Sequence, residues 1–192
     1  IWGGGKIMKN EIVQLGIILL IITAIAAALL GFVNQITSPV IEAQIIEANN
    51  MARKSILSDA DSFELIQEDF GGEVLEVYKG LKGSDIVGYT IKTAPKGYAG
   101  AIEVTTGITV DGTISGVSIG TMNETPGLGA KAKDEAFISQ YNSKMTDENL
   151  AVIKNGAPAE NEIVAISGAT ITSAAVTKGV NTAIELFKNS LQ

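Results

Sequence analysis

The sequence predicts an α+β chain, with one N-terminal membrane-spanning helix ahead of an antiparallel-sheet domain that helices flank. Three observations predict it. An uncharged apolar run extends from Ile12 to Val33. Between Val74 and Ile119 the hydrophobic pattern turns to alternation and β-branched runs, broken by glycine-rich turns. Three- and four-residue spacing appears on either side of that stretch. Strands gathered in the middle with helices at the ends are the mark of an α+β domain.

Taken in order, residues 1–10 form a short N-terminal segment. Within it Met8-Lys9-Asn10 reads like a natural start, and Trp2-Gly3-Gly4-Gly5 has the look of an upstream extension. The membrane span is placed at 11–33. At about 1.5 Å per residue the uncharged run makes a helix of about 33 Å, enough for a hydrocarbon core of about 30 Å. A cleaved signal peptide and a buried core helix are the alternatives, and Ala26-Ala27-Ala28 would suit the cleavage site of the first. Leu29, Leu30, Phe32 and Val33 carry the apolar character past that point, which favours an uncleaved anchor. Lys6 and Lys9 precede the span, whereas Arg53 and Lys54 follow at a distance, so the N-terminus is expected in the cytoplasm and the rest outside.

An amphipathic connecting helix is expected over 34–60. Ser38-Pro39 offers a hydroxyl N-cap with proline in the first helical position. The helix is expected to continue from the membrane; Val40, Ile41, Ile45, Ala48, Ala52, Ile56 and Leu57 form its apolar stripe, which is expected to pack on the outer domain, with a partner subunit as the alternative. The domain proper is assigned to 61–192. Its strands are expected at 74–78, 86–93, 101–110 and 114–119, with Asp111-Gly112 as a hairpin turn. A helix is expected over 130–141, a short apolar run over 163–166, and a final helix over about 173–189.

Composition narrows the chemistry. The 192 residues include no histidine and no cysteine, which removes disulfides, thiol nucleophiles, His-dependent triads, iron–sulfur ligation and His/Cys zinc sites. Acidic residues outnumber basic ones, 21 to 14, for a net charge of −7; nucleic-acid binding, which needs the opposite balance, is not expected. Carboxylates, hydroxyls, backbone amides or an organic cofactor must carry any reaction.

Two glycine-rich loops stand out. Glu124-Thr125-Pro126-Gly127-Leu128-Gly129-Ala130-Lys131 reads as a turn, or as main chain made bare enough to lie against a flat ligand. Ser167-Gly168-Ala169-Thr170-Ile171-Thr172-Ser173 lies between an expected strand and an expected helix. Neither fits a P-loop or a Rossmann fingerprint. Hydroxyls and free amides at the positive end of a helix suit a phosphate; plain helix capping accounts for the same residues.

Five blocks in order carry a resemblance. They are Lys96-Gly97-Tyr98-Ala99-Gly100, Thr106-Gly107-Ile108, Asp111-Gly112-Thr113-Ile114, Glu124-Thr125-Pro126-Gly127-Leu128-Gly129 and Ser167-Gly168-Ala169-Thr170-Ile171-Thr172-Ser173. Together they closely resemble the FMN-binding domain family, with core motifs over 96–190. With one span ahead of it, the chain from Met8 onward resembles the G subunits of Rnf-type ferredoxin:NAD oxidoreductase complexes. The resemblance implies FMN bound covalently through a phosphoester to Thr170, installed by a separate flavin transferase using FAD. Val164 stands where that signature often has an aspartate. The resemblance further implies cofactor-binding roles for Ser167, Gly168, Ala169 and Thr172, and an isoalloxazine lining of Glu124, Thr125, Leu128 and Gly129. It implies an electron relay without independent catalysis, in a complex that couples ferredoxin:NAD electron transfer to sodium or proton translocation. The implied partners are the other membrane and peripheral subunits and membrane lipid. Two alternatives share the domain: the C subunit of the sodium-translocating NADH:quinone reductase, and a membrane-anchored FMN-binding sensor or docking module without redox function.

Overall fold

A computed structural model describes residues 5–191, so most of the Trp2–Gly5 extension lies outside the described residues. Helix α1 runs unbroken from Gly5–Ile56, 52 residues with Pro39 inside. The chain divides into two compact units, Ile1–Ala48 and Asn49–Gln192.

The described part of the first unit is a single helix; its Leu15, Leu20, Leu30 and Phe32 are all more than half exposed. It is long and apolar enough to cross a membrane. The hydroxyl of Thr23 donates to the carbonyls of Leu19 and Leu20, each at 3.0 Å, and that of Thr37 to Val33 at 2.6 Å. Such back-bonding satisfies polar side chains without water.

One expectation is corrected here. Ser38-Pro39 does not start a new helix: the proline sits within the continuous ladder, and the Ser38 hydroxyl lies 3.5 Å from Asn34 Oδ1, within the preceding turn. A proline forfeits one ladder bond, and the long flanking stretches propagate the helix through it.

The second unit holds the sheet. Strands β1 (Ser62–Leu65), β2 (Val74–Lys82), β3 (Asp85–Thr93), β4 (Val104–Thr109) and β5 (Ile114–Ile119) form an antiparallel meander in that order. The Asp111-Gly112 turn joins β4 to β5, with Gly112 at φ +83° and its amide donating to Thr109. The helix expected over 130–141 is instead three short pieces: a 3-10 turn Gly129–Lys133, α2 (Glu135–Ile138) and a second 3-10 turn Ser139–Tyr141. Extended backbone at Asp134 (φ −70°, ψ 139°) breaks the run. Strands β6 (Ala151–Ile153) and β7 (Glu162–Val164) make a separate parallel pair. The last helix, α3 (Thr170–Leu186), begins three residues earlier than expected and ends in a π-turn over Phe187–Leu191.

The two faces of the sheet differ. On one, Val77, Ile91, Val104, Ile108 and Val117 meet Val176, Val180, Ala183, Ile184 and Phe187 from the C-terminal helix and turn. Each fully buried aliphatic side chain contributes about 1.5–3 kcal/mol. The other face is cut down to glycine where the end of α1 meets it. A Cβ on Gly80 would lie 2.4 Å from the Leu57 side chain, on Gly107 3.0 Å from the Ile56 carbonyl, and on Gly116 3.2 Å from the Ile56 side chain. Of the expected apolar stripe, Ile56 at the end of α1 and Leu57 just past it are buried in this unit, whereas Val40, Ile41 and Ile45 keep about half their surface exposed.

Candidate functional site

The two glycine-rich loops meet. Together with the Tyr98 loop they wall a cleft of about 580 Å³, lined by Tyr98, Glu124, Thr125, Leu128, Gly129 and residues 168–172. Sites for small molecules commonly fall in the range of about 300–1,000 Å³.

The first wall is built on a type II turn. Pro126 presets its first corner, Gly127 takes φ +78°, and the Leu128 amide donates to the Thr125 carbonyl at 3.2 Å. The turn leaves Leu128 44% exposed, with its side chain at the cleft.

The second wall repeats the device. The Ala169 amide donates to Ile166 at 2.9 Å across Gly168, which has φ +79°. This reversal delivers Thr170, half-buried, as the first residue of α3. The first ladder bond of the helix runs from the Ser173 amide to Ala169 at 3.0 Å, so the amides of Thr170, Ile171 and Thr172 precede it. No side chain among the described residues caps them. The capping explanation of this hydroxyl-rich loop therefore fails. Ser173 is turned inward, accepting from the Ile166 amide and donating to the Ala169 carbonyl, both at 3.0 Å. Thr172 donates to Glu124.

Glu124 closes the floor. It is 7% exposed. Its Oε1 accepts from the Ala99 amide at 3.0 Å, and its Oε2 accepts from the Thr172 hydroxyl at 2.6 Å. Both carboxylate oxygens thus point into the protein. Among the described residues, no lysine or arginine lines the cleft.

The residues present fit a flavin phosphate. Uncapped amides at a helix N-terminus favour a phosphate group, a hydroxyl stands beside them, and the exposed side chains of Tyr98, Leu128 and Ile171 offer apolar surface for a ring.

All but one of the expected site residues line this cleft. Ser167 is the exception: it faces a neighbouring cavity with Lys131, Gln140 and Val164. Glu124 lies at the cleft floor with its carboxylate engaged internally. Two lining residues escaped the sequence reading. Tyr98 belongs to the first of the five blocks, and its signal was an aromatic side chain set among glycines. Ile171 is an apolar residue between two threonines at a helix start, a pattern that gives no signal of its own.

Comparison with known proteins follows the same division. Residues 97–185 match the FMN-binding domain and residues 8–56 the RnfG N-terminal region. The chain is 43% identical over 190 residues to the G subunit of the Na(+)-translocating ferredoxin:NAD(+) oxidoreductase complex of Acetobacterium woodii, covering 92% of this chain and 91% of that one. It is 37% identical over 179 residues to the G subunit of the proton-translocating ferredoxin:NAD(+) oxidoreductase complex of Clostridium ljungdahlii, with 92% of each chain covered. Among solved structures, the C subunit of the Na(+)-translocating NADH-quinone reductase from Parabacteroides distasonis superposes with a TM-score of 0.60 at 18% identity, covering 79% of this chain and 96% of that one. The NqrC structure from Shewanella oneidensis gives 0.53 at 20% identity, over 69% and 67% of the two chains. Those two likenesses speak to the fold alone. With relatives this similar along nearly their whole length and a matched domain around the cleft, the chain belongs to the family of G subunits of ion-translocating ferredoxin:NAD(+) oxidoreductase complexes.

Proposed function

We propose that this chain is the membrane-anchored flavoprotein subunit of such a complex, carrying FMN as a phosphoester on Thr170. One observation carries the reading: Thr170 opens α3 inside the cleft, beside amides that no side chain among the described residues caps. When bound, FMN supplies one- and two-electron redox chemistry that the chain's own side chains lack. The amides of residues 170–172 hold the phosphate, Leu128 and Tyr98 shield the ring from water, and Gly129 lets the main chain come close. With no lysine or arginine in the described lining, a dissociable phosphate would rest on amides alone; a covalent bond retains the cofactor without a cationic clamp.

The attachment balances as a transfer from FAD by a separate flavin transferase. Thr170 Oγ1 bonds to the phosphorus on the FMN side, the pyrophosphate linkage breaks, AMP leaves, and the hydroxyl proton passes to a base of the transferase. The subunit then relays electrons within a complex that couples ferredoxin:NAD electron transfer to sodium or proton movement. The other membrane and peripheral subunits are its partners, and membrane lipid surrounds the span. The flanking lysines support an N-terminus in the cytoplasm and an FMN domain outside. The far lower identity to the quinone-reductase C subunits supports the Rnf-type assignment over that alternative.

In-gel flavin fluorescence after denaturation tests the reading, with the chain co-expressed with a flavin transferase. A fluorescent band that Thr170→Val abolishes is expected, and persistence of the band in that variant would overturn the assignment. A reporter fused at Gln192 is expected to be active outside the cytoplasm; cytoplasmic activity would reverse the topology.

A further inference from the structure

We infer that Glu124 is a positioning residue that works from behind the flavin site, tying the Tyr98 loop to the first turn of α3. The inference rests on the Thr170 reading above and gives Glu124 a role other than lining the ring. Three sets of contacts converge on its carboxylate. One oxygen takes the Ala99 amide, next to Tyr98. The other takes the hydroxyl of Thr172, two residues beyond Thr170. Two glycines make room for it: a Cβ on Gly97 would come within 2.6 Å of Glu124 Oε1 and 2.5 Å of the Ile102 side chain, and a Cβ on Gly129 within 2.6 Å of Oε2 and 2.7 Å of Thr172 Oγ1.

The consequence is mechanical. A helix frays first at its uncapped end, where amides lack partners, and α3 has no side-chain cap among the described residues. The tether replaces the cap by holding the Thr172 side chain rather than an amide. The first-turn amides stay free for the phosphate, and the backbone that carries Thr170 is held in place for transfer. Hydrogen bonds to a buried carboxylate are among the stronger ones, which suits a single group asked to hold two loops.

The test uses the full chain in membranes with a co-expressed flavin transferase, read by in-gel fluorescence, and the same chain without the transferase, read by amide exchange at Ala99. Glu124→Ala and Thr172→Val are each expected to lower flavin loading about tenfold, the scale of one charge-assisted hydrogen bond. The double variant is expected to be no worse than Glu124→Ala, because both changes cut one tether. Glu124→Gln can still accept from Ala99 and can donate to Thr172 Oγ1, so it is expected to recover most of the loading. Ala99 exchange is expected to quicken about tenfold in Glu124→Ala without flavin present. Losses that add in the double variant, or Glu124→Gln failing as fully as Glu124→Ala, would overturn the tether and assign the carboxylate's charge to the flavin itself. An unlabelled wild type would overturn the Thr170 reading, and the tether would then stand or fall on the exchange of Ala99.

Discussion

Arg53, in the last turn of α1, donates to the carboxylate of Glu76 on β2 at 2.8 Å, with its guanidinium 3.7 Å from the centre of the Tyr78 ring. Its side chain is 6% exposed, and Asn50 accepts a second bond from it at 2.7 Å. Lys92 stands 3.8 Å from the other oxygen of Glu76. The end of α1 is thus bound to the sheet by charge, hydrogen bonding and ring stacking together, beside the glycine floor that receives Ile56.

Arg53→Ala is expected to destabilise the domain by about 2–3 kcal/mol. Breaking a buried pair commonly costs about 3–5 kcal/mol, and the partial exposure of Glu76 together with its second partner Lys92 lowers that figure. Chemical unfolding followed by far-ultraviolet circular dichroism checks it; a change below about 0.5 kcal/mol would make the pair decorative.

Gly129→Ala is expected to cost about 1–3 kcal/mol through overpacking, because the new methyl group must push aside Glu124 or Thr172, both buried. Flavin loading should fall with it. Thermal unfolding and in-gel fluorescence together report the two effects, and an unaltered melting temperature would contradict the packing described.

Tyr98→Ala is expected to leave stability within about 0.5 kcal/mol, as for other exposed positions, since the ring is 68% exposed. With FMN in the cleft, the loss of an aromatic neighbour should raise the native-state fluorescence of the flavin and quicken its quenching by iodide. Identical quenching in the two proteins would place the ring of Tyr98 away from the flavin.

The pH dependence of stability is expected to carry a contribution from Tyr141. Burial pushes its phenol above the ordinary value of 10.0, only partly offset by the Thr177 hydroxyl at 2.7 Å. The folded pKa lies above the unfolded one, so the contribution is fully present below about pH 10 and declines as pH rises further. Tyr141→Phe should flatten that decline and cost about 1 kcal/mol at neutral pH; Thr177 keeps its bond to the Ser173 carbonyl. An unchanged alkaline limb in the variant would exclude Tyr141 as its source.

The features that the sequence announced are those whose cause is local. Ile12 to Val33 needs no tertiary partner to be read as a span, and Asp111-Gly112 between β-branched runs specifies a turn by itself. The four strands β2 to β5 are legible in the alternation, though their order in the sheet is not. Strands β1 and β6 give no signal because they are only four and three residues long and neither has a fully buried residue, so tertiary pairing rather than periodicity makes them. The break at Asp134 was hidden for the converse reason: the helical spacing from Ala132 through Tyr141 is real, and its side chains are buried, but the backbone reaches those positions through 3-10 turns. At the site, glycines and hydroxyls marked the loops, whereas the inward aim of Glu124 depends on a residue 48 positions away in sequence. No local pattern encodes that pairing.

The glycine floor beneath Ile56 and Leu57 makes the final turns of α1 a plug rather than a leash. A leash can be lengthened, shortened or exchanged without the attached body registering it; a plug is part of the body's own closure. A soluble fragment that starts at Ser62, where the first strand begins, would open bare backbone on β2 to β5 to water and to other chains. One that starts at Asn49 brings its own stopper. The boundary at which the domain folds therefore lies inside the helix that anchors it.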